Sequence, residues 1–167
     1  MRIAILTTSD AGARGERADG SGDAIAAWCA ERGYQVSERE LVPDETPAIV
    51  SFLSRWCDED RADVVLTTGG TGLAPRDVTP EATRAVLERD APGIAERIRL
   101  LCLQSFPRAA LSRGLAGVRS RTLIVNLPGS TGGVRDGLSA LDSILAHAVQ
   151  IIRGEVTDHA PSEQSPA

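Results

Sequence analysis

The stretch Thr67-Thr68-Gly69-Gly70-Thr71-Gly72-Leu73-Ala74-Pro75-Arg76-Asp77-Val78-Thr79-Pro80 constrains the fold of this chain more than any other. Ahead of it, Ala62-Asp63-Val64-Val65-Leu66 is a short β-branched run of the kind buried on both faces of a parallel sheet. Behind it, Thr79-Pro80-Glu81 reads as a helix start, with Thr79 as cap and Pro80 in the first helical position. A buried strand therefore runs through a glycine loop and an Arg-Asp pair into a helix. Glycines let backbone N–H groups approach an anion, and a nearby helix N-terminus favours negative charge. The loop alone serves equally as a tight turn. A loop that only turns has no need of the charges at Arg76 and Asp77.

The same alternation continues along the chain. Arg2–Thr8 reads as the first strand, followed by a polar, glycine-rich loop, Ser9–Ser21. Ser21 is expected to cap a helix over Gly22–Arg32, which Gly33 ends. Tyr34–Val42 reads as a strand with one wet face, followed by the acidic loop Pro43-Asp44-Glu45. Thr46-Pro47 repeats the cap-and-proline device, and Ile49, Val50, Leu53, Trp56 and Cys57 form an apolar helical stripe. After Thr79 come a helix, a break at Pro92-Gly93, a helix through Ile98 and Cys102, and a short helical piece from Pro107 to Leu111. Val118–Ser120 and Thr122–Leu127 read as extended. A second glycine-and-hydroxyl loop, Asn126–Gly133, precedes one long helix with Val134, Leu138, Leu141, Leu145, Ala148 and Ile152 on one face. Strands alternating with helices predict an α/β three-layer sandwich, a mainly parallel central sheet with helices on both faces. Residues 1–154 are expected to form a single domain and 155–167 a disordered tail.

Composition narrows the chemistry. All 18 basic residues are arginine, so a lysine-bearing phosphate loop, a Schiff base and lysine-bound pyridoxal are excluded. Aromatic residues make up 3% and the formal net charge is −5, which gives no footprint for nucleic acid. No apolar run is long enough for a membrane span, and the first residues lack a signal-peptide pattern, so a cytoplasmic setting is expected. Cys29, Cys57 and Cys102 lie in apolar helical patterns and read as core residues, not as a zinc site or disulfide framework. His147 lies in the last helix and carries no catalytic signal.

In an open parallel sheet, loops after the strands gather along the carboxyl edge. Ser9–Ser21, Pro43–Glu45, Gly69–Asp77 and Asn126–Ser130 would meet there. Glycine backbone, hydroxyls, arginines and carboxylates suit a phosphorylated small molecule with magnesium. Asp44 and Asp77 could hold the metal or orient the reacting group, and Arg76 and Arg113 could offset phosphate charge. Each piece also has a local reading. Asp44 could be a turn residue, Asp77 could cap or pair with Arg76, Ser130 could cap the last helix, and Asn126 could complete a turn.

The glycine loop with Pro75-Arg76-Asp77-Val78-Thr79-Pro80-Glu81 resembles the signature of the molybdopterin adenylyltransferase family, the MogA/MoaB type related to the G domain of gephyrin. The match extends in order through Ser9-Asp10, Asp19-Gly20-Ser21-Gly22, Val42-Pro43-Asp44-Glu45, Ser112-Arg113, Ala116–Arg119 and Asn126-Leu127-Pro128-Gly129-Ser130. The resemblance implies a trimeric α/β protein that moves AMP from Mg-ATP to the terminal phosphate of molybdopterin, releasing pyrophosphate. Its product would pass to a separate molybdate-insertion protein. Carried over, Asp44 and Asp77 are the catalytic pair, with Asp44 the candidate Mg2+ ligand. Substrate contacts fall on Ser9, Asp10, Gly69, Gly70, Thr71, Gly72, Arg76, Ser112, Arg113, Asn126, Pro128, Gly129 and Ser130. The chain departs from the usual pattern at Thr131, commonly proline, and at Gly114, usually alanine. Three rival readings remain open: a non-catalytic molybdopterin carrier of the MoaB type, a scaffold, and a pyrophosphohydrolase. Apolar residues along Ile94–Ser105 and Leu111–Val118 are compatible with a subunit interface.

Overall fold

The computed structural model describes residues 1–156. The tail expected to be disordered lies outside these residues from position 157 onward. Six strands form one sheet in the order β2-β1-β3-β6-β5-β4. They are β1 (Arg2–Thr8), β2 (Gln35–Val42), β3 (Val64–Thr68), β4 (Arg89–Asp90), β5 (Ala116–Arg119) and β6 (Thr122–Leu127). β2, β1, β3 and β6 run parallel, whereas β5 is antiparallel to β6 and β4 to β5. The expected mainly parallel sheet is present, with an antiparallel edge.

The period of two along the strands assigns the helices to layers. Ile3, Ile5, Val64, Leu66, Val125 and Leu127 face one side, with Ile25, Trp28, Ile98, Leu138 and Leu145. That side holds α2 (Gly20–Glu31), α5 (Pro92–Ser105), α6 (Thr131–Leu141) and α7 (Leu145–Arg153). Ala4, Leu6, Val65 and Ile124 face the other side, against Ile49, Leu53 and Trp56 of α3 (Thr46–Asp58) and Ala82 and Val86 of α4 (Thr79–Val86). The three-layer sandwich follows from these two cores. The three cysteines are buried and unpaired, as their apolar setting predicts. Burial pushes the Cys29 thiol up to about 11 and Cys57 up to about 12.

Several local expectations need correction. The long loop after β1 contains a four-residue helix, α1 (Asp10–Ala13), whose cap Ser9 accepts a bond from the Gly12 N–H at 3.1 Å. α2 starts two residues early because Asp19, not Ser21, caps it through the Gly22 N–H at 2.9 Å. Thr46 and Thr79 are first helical residues, not caps; the cap positions are Glu45 and Val78, with no side-chain bond. Thr79 instead places its hydroxyl 3.0 Å from that of Thr8, a long-range tie that outcompetes local capping. The single last helix is two. The chain turns at Asp142–Ile144, closed by the Ile144 N–H on the Leu141 carbonyl at 3.0 Å. The tight turn preserves the apolar register, which is why periodicity alone reads through it.

Candidate functional site

Three of the parallel strands, β1, β3 and β6, end in the middle of the sheet beside one another. Their loops, with the loop after β2, close around two adjoining clefts. The more polar cleft, about 530 Å³, is lined by Thr7–Ser9, Asp19, Ser21, Asp44, Gly69 and Thr131 among others. The more apolar cleft, about 550 Å³, lies under α5 and a 3-10 turn over Pro107–Leu111, with Ile98, Cys102, Phe106, Leu111, Ser112 and Pro128 in its wall. Gly70, Asp77, Gly129 and Ser130 line both clefts. The two clefts therefore meet at the glycine loops.

The glycine loop owes its path to backbone conformation. Gly69 has φ +96° and Gly70 φ +61°, a region that side chains disfavour. A Cβ on Gly69 would lie 2.2 Å from the Thr8 carbonyl oxygen, and one on Gly70 would lie 2.4 Å from the Thr79 hydroxyl and 2.9 Å from Asp44 Oδ1. The Thr68 hydroxyl donates to the Pro128 carbonyl at 2.7 Å and holds the two glycine loops together. Ser130 caps α6 through the Gly133 N–H at 3.2 Å, so the N-terminus of an eleven-residue helix abuts the junction.

Asp44 is half-buried. Its Oδ2 accepts the Asp10 N–H at 2.9 Å, and the Asp44 N–H returns a bond to Asp10 Oδ1 at 3.1 Å. Arg76 donates to both carboxylate oxygens of Asp10, at 2.9 and 2.8 Å. Burial pushes the Asp44 carboxyl up, aided by the like charges of Asp10 and Asp77 and opposed by the Asp10 N–H and by Arg76. The Arg76 fork holds Asp10 below the usual carboxylate range. Asp77 accepts the Ala74 N–H at 2.8 Å, which closes the Leu73–Asp77 loop.

Ser9, Asp44, Gly69–Gly72, Asp77, Ser112 and Pro128–Ser130 all line the clefts. Asp10, Arg76, Arg113 and Asn126 are not part of that lining. Arg113 binds the Gly72 carbonyl at 2.6 Å, the Asp77 carbonyl at 2.5 Å and the Glu81 carboxylate. Asn126 is buried, and its amide donates to the Thr67 and Thr83 hydroxyls at 2.9 Å each while its oxygen accepts the Leu115 N–H at 3.0 Å. Sequence reasoning missed Arg99 and Arg108 in the apolar wall and Arg17 in the polar one. These sit on helix or loop surfaces outside any motif, where a lone arginine gives no signal.

Among the described residues, no three or more His, Cys, Asp or Glu side chains gather as a metal cage. Magnesium needs none, since it is commonly held by one or two carboxylates together with phosphate oxygens and water. Asp44 and Asp77, like charges near one another with Asp44 held in a half-buried place, fit that mode. A divalent cation would relieve their repulsion.

The family described as "Probable molybdopterin binding domain" matches residues 4–147. The chain is 40% identical to a molybdopterin adenylyltransferase of Helicobacter pylori, over 92% of this chain and 89% of that protein. It is 47% identical over 70% of its length to the molybdenum cofactor synthesis protein cinnamon of Drosophila melanogaster, of which it spans 20%. The molybdopterin biosynthesis enzyme MoaB from Thermus thermophilus superposes with a TM-score of 0.87 at 54% identity, over 92% of this chain and 96% of that one.

Proposed function

The chain belongs to the molybdopterin-binding domain family, and from that premise we propose that it is a molybdopterin adenylyltransferase of molybdenum cofactor biosynthesis. The observation that carries the proposal is the junction. One polar and one apolar cleft share Gly70, Asp77, Gly129 and Ser130, so two substrates bound side by side would bring their reacting phosphates together there.

The polar cleft, with Asp44, takes ATP, and the apolar cleft, with Arg99 and Arg108 in its wall, takes the pterin. An oxygen of the molybdopterin terminal phosphate attacks the α-phosphorus of ATP. The bond to the α–β bridging oxygen breaks, and pyrophosphate leaves with that electron pair. Asp44, with help from Asp77, would hold magnesium, which when bound would neutralise charge on the phosphates. Asp77 orients the acceptor phosphate from the shared wall. Backbone at Gly70 and the N-terminus of α6 favour the negative charge between the clefts. The closed turn at Ala74–Asp77 and the Arg113 clamp keep this arrangement rigid.

The protein acts as a homotrimer in this reading and hands its adenylylated product to a molybdate-inserting protein. Leu100, Phe106 and Leu111 are 65%, 48% and 51% exposed, apolar side chains that a second copy would cover. The test is product identity. Purified protein with molybdopterin, ATP and Mg2+ is expected to give adenylylated molybdopterin by mass spectrometry, with one pyrophosphate released per pterin. Pterin binding without pyrophosphate release would identify a carrier, and AMP release without acceptor would identify a pyrophosphohydrolase.

A further inference from the structure

The three loops after β1, β2 and β3 are joined by one chain of contacts. Arg76, from the glycine loop, forks onto Asp10 with bonds of 2.9 and 2.8 Å. Asp10 and Asp44 then exchange backbone-to-carboxylate bonds in both directions, at 2.9 and 3.1 Å. Asp44 alone of the three lines a cleft. Its Oδ1, the oxygen not engaged by Asp10, lies beside Gly70, 2.9 Å from where a Cβ would stand.

We infer that Asp10 and Arg76 form a brace that positions Asp44 and do not themselves contact substrate. A carboxylate placed against a phosphate-bound cation must keep one oxygen fixed and present the other. The Asp10 N–H fixes Oδ2, and that N–H is held in place because the Asp10 side chain is pinned between the Asp44 N–H and the Arg76 fork. Asp10 adds a like charge beside Asp44, and the Arg76 fork offsets it. The fork geometry requires a guanidinium, since a lysine ammonium cannot span both oxygens in one plane. Arg76 also lies 3.8 Å from Glu45, the residue after Asp44, so it reaches the acidic loop directly as well as through Asp10. Its Nε and one terminal nitrogen are thereby engaged by protein carboxylates. Both arginines thus bind the protein itself, Arg113 through two carbonyls and the Glu81 carboxylate and Arg76 through carboxylates.

The inference rests on the adenylyl-transfer reading, and its test separates the two. Steady-state AMP transfer is compared in the wild type, Arg76→Ala, Arg76→Lys, Asp10→Asn and the Arg76→Ala/Asp10→Asn double variant. A brace predicts that kcat falls roughly 10–100-fold in each single variant, the range seen when groups supporting a ligand are removed. KM for molybdopterin and ATP should stay within about twofold, and the double variant should be no worse than the worse single, since both changes break one chain. Lysine should not rescue. A KM rise with kcat kept, losses that multiply in the double variant, or near-full activity of Arg76→Lys would overturn the brace. Amide exchange gives a readout independent of turnover. In Arg76→Ala the N–H groups of Asp10 and Asp44 should exchange faster while the β3 amides stay protected, and unchanged protection of both would overturn the inference whatever the activity. A wild type without AMP transfer but with this exchange response would sink the catalytic reading and keep the brace.

Discussion

At Gly70 an added methyl would meet the Thr79 hydroxyl at 2.4 Å on a backbone with φ +61°. The left-handed conformation alone costs a residue with a side chain about 1–2 kcal/mol. Gly70→Ala is therefore expected to lower stability by at least about 2 kcal/mol and to displace Asp44, with AMP transfer lost and the shift read by thermal melting. Asp44→Asn should behave in the opposite sense. Asp44 has its folded-state proton affinity raised by burial and by Asp10 and Asp77. A raised carboxyl contributes stability below its unfolded pKa and loses it as pH rises through the folded value, so at neutral pH the ionised form works against folding. Asp44→Asn should then melt no lower than wild type at pH 7 while losing transfer, and a clear drop in Tm would contradict the charge account. The glycines and both aspartates were legible because their chemistry is local to a motif. The partners of Arg76 and Arg113 were not, because a sequence names an arginine without naming the oxygen it meets 66 or 41 positions away.

Asn126 shows what an element boundary can hold. Its one side chain joins the end of β3 at Thr67, α4 at Thr83 and the approach to β5 at Leu115. Removing it strands two buried hydroxyls and one N–H, each costing about 1–3 kcal/mol when unsatisfied. Asn126→Ala is expected to cost at least about 3 kcal/mol in denaturant melts, with its effect on transfer following from loosened loops. The strands β1, β3 and β6 could be read from apolar runs, since strands buried on both faces have no other composition available to them. β4 could not, because Arg89–Asp90 is two exposed residues with no periodicity to display. The turn between α6 and α7 was invisible for the converse reason: the stripe from Val134 to Ile152 stays in phase across it. Thr46 and Thr79 mimicked caps, and at Thr79 the long-range contact with Thr8 decided otherwise.

On the scale of the whole molecule the two ends of the sheet do different work. The amino ends of the strands carry a structural charge cluster in which Asp63 binds Arg2 and Arg153 at 2.9 and 2.6 Å. Burial pushes the Asp63 carboxyl up, but the Arg2 N–H and guanidinium and the charge of Arg153 outweigh it and hold it below the usual carboxylate value. A depressed carboxyl contributes stability above its unfolded pKa and loses it as pH falls through the folded one. Melting temperature should thus fall from about pH 4 downward, and Asp63→Asn should flatten that fall and cost roughly 2–3 kcal/mol at pH 7, less than a fully buried pair because Arg2 is partly wet. The carboxyl ends carry the clefts, and beside them Leu100→Glu with Phe106→Ser should convert the proposed trimer to monomer by light scattering. The order of strands and the gathering of loops could be foreseen from the alternation of elements. The division into two clefts could not, since α5 and the Pro107–Leu111 turn that wall the second one bear no motif. The most direct check of the central claim uses ATP labelled at the α-phosphate with molybdopterin and Mg2+, comparing wild type with Asp77→Asn. Label should move to the pterin in the wild type and stay on ATP in the variant, which still binds both substrates. Transfer at wild-type rates by Asp77→Asn would contradict the claim.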